Sequence, residues 1–209
     1  MDGAVTIEGG FAEVDAGAWL MGRAQPAAFL GGAVRRRRKG WLLRDRALLC
    51  LVETSGEAKC ADSGRPFLTH IPCAAPVSAV SSKVLVAPAV AWKGAFALKP
   101  IPMSLRASLC VSEFGAEWIV TATAGRTLRI VVKDGDTLTV RPEALVAWTG
   151  NRPTGFCPKL GLWDILLPRG PKNLLLHFHG PSVVWVEGVH APNLQPCKLP
   201  NFYRRPYGA

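Results

Sequence analysis

Apolar and polar positions alternate over short distances along the chain, and Gly, Pro, Asn or Asp cut each apolar run before a helical period is established. Runs rich in β-branched, aromatic and aliphatic residues cover 41–52, 82–92, 105–112, 117–122, 127–132, 137–140, 145–149, 173–178 and 183–187, and each is predicted as a strand. The 21 glycines and 17 prolines are scattered throughout, which argues against long helices.

The sharpest local signal is Thr127 to Val140. Two β-rich runs flank Lys133-Asp134-Gly135-Asp136, and because Gly tolerates positive φ the segment predicts a β-hairpin. Arg141-Pro142-Glu143 then interrupts the sheet, since proline cannot donate to a ladder. Residues 150–171 read as a long connection carrying one apolar patch, Leu160 to Leu167. Beyond Gly188 the chain has Pro192, Pro196, Pro200 and Pro206 with almost no apolar periodicity, the pattern of an extended arm. No internal repeat is visible at a solenoid or propeller period. The expected fold is therefore all-β: a compact sandwich or barrel of two stacked antiparallel sheets with an extended C-terminal arm. The expected organisation is a β-rich region over 1–79 with a basic loop at 35–39, a β-domain over 80–188 and a Pro-rich basic extended arm over 189–209.

Composition adds that the chain folds on its own core, with 49% apolar and 19% charged residues over 209 positions. No apolar stretch reaches the length of a transmembrane helix, so a soluble or peripheral protein is expected. The amino end, with Asp2, Glu8, Glu13 and Asp15 and no basic residue before Leu20, has the wrong sign for a presequence, and any presequence is expected outside this numbering. Cysteines 50, 60, 73, 110, 157 and 197 lie too far apart for zinc-ligand spacing and read as mostly buried thiols in a reducing compartment.

The formal charge of +10 favours a polyanionic partner, and it is unevenly placed. Arg35, Arg36, Arg37, Arg38, Lys39, Arg44 and Arg46 form one basic site, with Trp41 nearby. Lys198, Arg204 and Arg205 form a second, where Tyr203 and Tyr207 stand ready to stack on unpaired bases. These ten residues are the candidate RNA-binding set.

The stretch from Gly125 to Trp148, followed by His179-Gly180-Pro181-Ser182-Val183-Val184-Trp185-Val186, resembles the mitochondrial biogenesis family of altered inheritance of mitochondria protein 24. The resemblance covers about residues 80–188. It implies a compact domain of two stacked β-sheets, similar to the Trp RNA-binding attenuation protein-like folds. It also implies a mitochondrial setting, and the family offers no catalytic residue to carry over. Gly125 and Gly135 serve turns, Pro142 breaks a strand and Trp148 packs in the core on the same reading.

Little enzymatic chemistry emerges. There is no Gly-x-Ser-x-Gly, no phosphate loop and no His-paired cysteine. His177 and His179 would share one face of a strand, as the first motif of a cupin metal site requires, but Glu187 is too distant for the usual ligand and no second motif follows. With Phe178 facing the core, both imidazoles face outward. No cofactor, metal site or small-molecule substrate is expected. The function expected is that of a non-catalytic structural subunit of a large mitochondrial assembly, with the mitochondrial ribosome as that assembly, contacting ribosomal RNA and neighbouring subunits. It would sit in the matrix or on the matrix face of the inner membrane. The alternatives are a peripheral inner-membrane organisation factor facing anionic lipid and a cupin-like metal enzyme.

Overall fold

The structure, a computed structural model, describes residues 5–9, 11–14, 19–23, 27–30, 35–37, 49–53, 58–62, 64–98, 109–115, 117–156 and 175–188. Among them the only helical element is one 3-10 turn, Ala89–Ala91. The amino-terminal third supplies β1 (Val5–Glu8), β2 (Phe11–Val14), β3 (Trp19–Arg23), β4 (Ala27–Leu30), β5 (Arg35–Arg37), β6 (Leu49–Glu53), β7 (Ala58–Asp62) and β8 (Phe67–Pro72). The middle supplies β9 (Val77–Val80), β10 (Val84–Pro88), β11 (Trp92–Leu98), β12 (Leu109–Phe114), β13 (Trp118–Thr123) and β14 (Arg126–Val132). Then follow β15 (Thr137–Val140), β16 (Leu145–Gly150), β17 (Thr154–Phe156), β18 (Leu175–His179) and β19 (Ser182–Gly188).

The all-β, antiparallel expectation holds, and the sheets number four among the described residues. Two have six strands, in the orders β5-β6-β3-β10-β13-β8 and β11-β12-β9-β16-β19-β14; the others run β1-β2-β7-β4 and β15-β18-β17. Adding six to each strand number of the first large sheet reproduces the second in full. A further step of six gives β17-β18-β15, at which the described strands end; wrapping the numbering round fills the remaining places with β4-β7-β2. The molecule is thus built on a pseudo-threefold repeat of about 60 residues, with β1 as an addition. Irregularities in register fall at equivalent places, between Val84 and Val86 where β10 meets β13, and between Leu145 and Ala147 where β16 meets β19. A period this long lies outside those of solenoids and propellers, and little of it survives in sequence beyond Leu49-Cys50-Leu51 against Leu109-Cys110-Val111.

The predicted hairpin over Thr127 to Val140 does not form, although its turn does. The Asp136 amide donates to the Lys133 carbonyl at 3.0 Å and Gly135 has φ +81°, the third-position signature of a type II turn. The flanking strands, however, belong to different sheets: β14 pairs with β19, and β15 pairs with β18. Gly180-Pro181 likewise carries the chain from β18 into β19 in another sheet, through a cis peptide. Both links are corners. Successive strands pair as hairpins, among the described residues, only at β1/β2, β5/β6, β11/β12 and β17/β18.

Three apolar clusters fill the spaces between sheets. The central one joins the two six-stranded sheets through Ile71, Val77, Val84, Phe114, Ile119, Val146 and Trp185. A second sets Ala12, Val14 and Cys60 against Leu85, Val86, Trp118 and Val120. The third packs Trp148, Val184, Val111 and Leu145 on Val140, Leu176 and Phe178. β10 and β13 are buried along their whole length because each has a core on both faces, which is why their sequences read as continuous apolar runs instead of alternating ones.

Candidate polyanion interface and a buried clasp

The basic segment expected as a loop over 35–39 is in part a strand. Arg35–Arg37 form β5, whose backbone pairs Arg35 with Glu53, Arg36 with Val52 and Arg37 with Leu51. β5 is the outermost strand of its sheet. Extended backbone spaces consecutive residues about 3.3 Å apart, so Arg35, Arg36 and Arg37 take successive register positions on the sheet edge. Of the predicted RNA-binding set the structure brings together Arg35, Arg36 and Arg37; Arg38, Lys39, Arg44, Arg46, Lys198, Arg204 and Arg205 lie outside the described residues.

The repeat gives this edge two counterparts, since β5, β11 and β17 occupy the same outermost place. Each turns back to pair with the following strand, through 38–48, 99–108 and 157–174. Sequence composition in these places is distinctive. Residues 38–48 carry Arg38, Lys39, Arg44 and Arg46 against Asp45; 99–108 carry Lys99 and Arg106; 157–174 carry Lys159, Arg169 and Lys172 against Asp164. Together these three segments carry +7 of the formal charge of +10, and Arg35, Arg36 and Arg37 of β5 carry a further three positive charges.

A second electrostatic feature was not read from the sequence. Lys83 Nζ donates to Glu187 Oε2 at 2.6 Å and to the Glu143 carbonyl, and both side chains are over nine-tenths buried. Glu187 Oε1 accepts from the backbone amides of Ala124 at 2.6 Å and Gly125 at 3.0 Å. One ion pair therefore ties the corner after β9, the turn between β13 and β14, the turn before β16 and strand β19. Burial pushes the Glu187 carboxyl up, but the Lys83 hydrogen bond and charge with the two amides outweigh it, and its pKa lies below the usual value. Burial pulls the Lys83 ammonium down, against the opposing pull of Glu187. Four hydrogen bonds converge on the two groups, and the lowered pKa of Glu187 favours its carboxylate form.

His177 and His179 sit on β18 as alternation requires, with Phe178 fully buried between them. His177 Nδ1 lies 3.0 Å from Thr139 Oγ1, and burial, aided by the His179 charge, lowers its pKa. Glu187, sequence neighbour of this pair, is engaged by Lys83 instead. Among the described residues no three His, Cys, Asp or Glu side chains gather as metal ligands, and no helix is long and apolar enough to cross a membrane. Cys60 and Cys73 are buried thiols whose pKa values burial pushes up to about 12 and about 11, which keeps them protonated and unreactive at neutral pH.

This architecture has a solved counterpart. The X-ray structure of protein SPYM3_0169 from Streptococcus pyogenes superposes with a TM-score of 0.63 over 90% of this chain and 93% of its own, at 12% sequence identity. At that identity the likeness is one of fold. No family model and no curated protein matches the chain.

Proposed function

We propose that this chain is a non-catalytic structural subunit of a larger assembly, seated on a polyanion through the basic segments that follow its outermost strands in the sequence. The supporting observation is that the three links in repeat-equivalent places of the chain carry +7 of the formal charge of +10, next to the three arginines of β5. A charge distributed for solubility has no reason to respect the repeat, whereas phosphate contact favours clustered Arg and Lys. The finer reading follows the resemblance to the family of altered inheritance of mitochondria protein 24. On it the assembly is mitochondrial, in the matrix or on the matrix face of the inner membrane, and the polyanion is RNA, with the mitochondrial ribosome as the assembly.

A second reading is supported by the apolar content of the same segments. Trp41-Leu42-Leu43, Ile101 with Met103, and Leu160 to Leu167 with Trp163 combine interfacial aromatics and aliphatics with cations, as peripheral binding to anionic lipid requires. One experiment separates the two. Replacing Arg35, Arg36, Arg37, Arg38 and Lys39 by Gln removes charge while keeping length and polarity. For three to five phosphate contacts, the slope of log K against log salt for RNA binding should shrink by about two to four units without altering preference among sequences. Release from anionic vesicles in a flotation assay, with the RNA slope unchanged, would instead establish the membrane reading, and an effect on neither would reject both.

A further inference from the structure

The repeat places β2, β8 and β14 in equivalent positions, each next to its β7, β13 or β19 neighbour. At β2 the outer side is not left open. β1 adds there as an extra antiparallel strand, with Val5 opposite Val14 and Glu8 opposite Phe11, and Val5 packs on the adjacent core. β8 closes with Pro72, a residue that blocks strand addition, and its start is tied to the start of β14 through Thr123 Oγ1, which donates to the Phe67 carbonyl at 3.1 Å and lies 3.3 Å from Thr127 Oγ1. β14 has no proline, runs for seven residues and is paired among the described residues with β19 alone.

Its exposed side is unusual for an edge. Leu128 is 49% and Val131 55% exposed, large apolar side chains on opposite faces of one strand, and between and beside them Arg126, Arg129 and Lys133 are exposed with no acidic residue from Trp118 to Lys133. An open ladder edge with apolar and cationic positions interleaved suits an incoming strand in which apolar and acidic positions interleave. β1, the strand already accepted by β2, combines apolar Val5 and Ile7 with acidic Glu8, and Asp2 precedes it in the sequence.

We propose that the outer edge of β14 is a docking site for an extended acidic-apolar peptide, added antiparallel as β1 is added to β2. Main-chain bonds to the open edge would supply affinity, Leu128 and Val131 would cover apolar side chains of the partner, and Arg126 and Arg129 would select acidic ones. The inference is independent of the polyanion reading, because it uses a different strand and the opposite end of the sheet.

The test uses the full chain and a fluorescent peptide with the sequence of residues 2–8, together with a counterpart in which both acids are Lys. Saturable binding of the acidic peptide with new amide-exchange protection along β14 is the expected result. Arg126→Glu with Arg129→Glu should weaken the acidic peptide about tenfold or more and favour the basic one. Both side chains are exposed, so the variant should melt with the parent. Protection appearing at β2, where the peptide would merely displace β1, would overturn the proposal. So would binding insensitive to the charge reversal, or no binding of either peptide, in which case the arginines only keep a bare edge soluble.

Discussion

Gly180 and Gly135 both serve corners between sheets, yet for different physical reasons. A Cβ built on Gly180 would sit 1.7 Å from the Lys133 carbonyl oxygen and 2.4 Å from its carbon, so the obstacle is backbone. A Cβ on Gly135 would meet nothing within 4 Å, and the cost there lies in φ +81° alone. Gly135→Val should therefore lower stability by about 1–2 kcal/mol, whereas Gly180→Ala, which cannot be relieved by a rotamer, should cost about 3 kcal/mol or more. Denaturant melts of the two variants check the order; a milder Gly180→Ala would mean that the corner is less closely packed than the distance implies. The turn at Gly135 was legible because Asp-Gly is a local signal. The contact at Gly180 was not, since the atom that forbids a side chain lies 47 residues earlier in the chain.

At the scale of elements, the clasp of Lys83 and Glu187 shows what local reading misses: the partners are 104 residues apart, and each alone looks like an ordinary charged strand residue. Removing one partner leaves the other buried without its counter-charge. Lys83→Met should cost about 3–5 kcal/mol, and Glu187→Gln less, because the amide oxygen still accepts from Ala124 and Gly125. The pH dependence has a definite sign. The folded Glu187 pKa is depressed, so its contribution is complete above the unfolded value of about 4.3 and is lost as pH falls through the lower folded value. Melting temperature followed down through acid should fall more steeply in the parent than in Glu187→Gln; parallel curves would show that other carboxylates govern acid unfolding.

Strand positions were largely legible from 117 to 149 and from 183 to 187, where β-branched runs are bounded by turn residues. Pairing was not. A two-residue or four-residue link between β-runs carries the same turn chemistry whether it closes a hairpin or passes to another sheet, and the choice is made by which distant strand covers which apolar face. The same limit hid β7, β8 and β9, whose polar interruptions, such as Lys59, His70 and Ser78, weaken the apolar run although each strand is firmly paired. For the candidate interface, charge clustering was evident in sequence. Its threefold placement was not, because equivalence of 38–48, 99–108 and 157–174 exists only in topology.

For the whole molecule, the first six-stranded sheet takes β3, β5, β6 and β8 from the first 79 residues and β10 and β13 from the following segment. A fragment of residues 80–188 would strip β10 of β3 and β13 of β8, exposing Leu85, Val86, Trp118 and Val120. It should show no cooperative melt by circular dichroism, while truncation after Gly188 should retain one. A cooperative fragment would mean that the second and third repeats suffice.

The corners at Lys133–Asp136 and Gly180-Pro181 also bear on how the chain reaches this state. Since most successive strands are assigned to different sheets, a newly made strand finds no partner beside it and must wait for one many residues away. Loop-closure entropy then has to be met before pairing returns any free energy, which places the protein among slow folders. Over that interval the apolar strands β10 and β13 stand with open edges, so the time between synthesis and closure, more than the stability of the finished molecule, sets its exposure to aggregation.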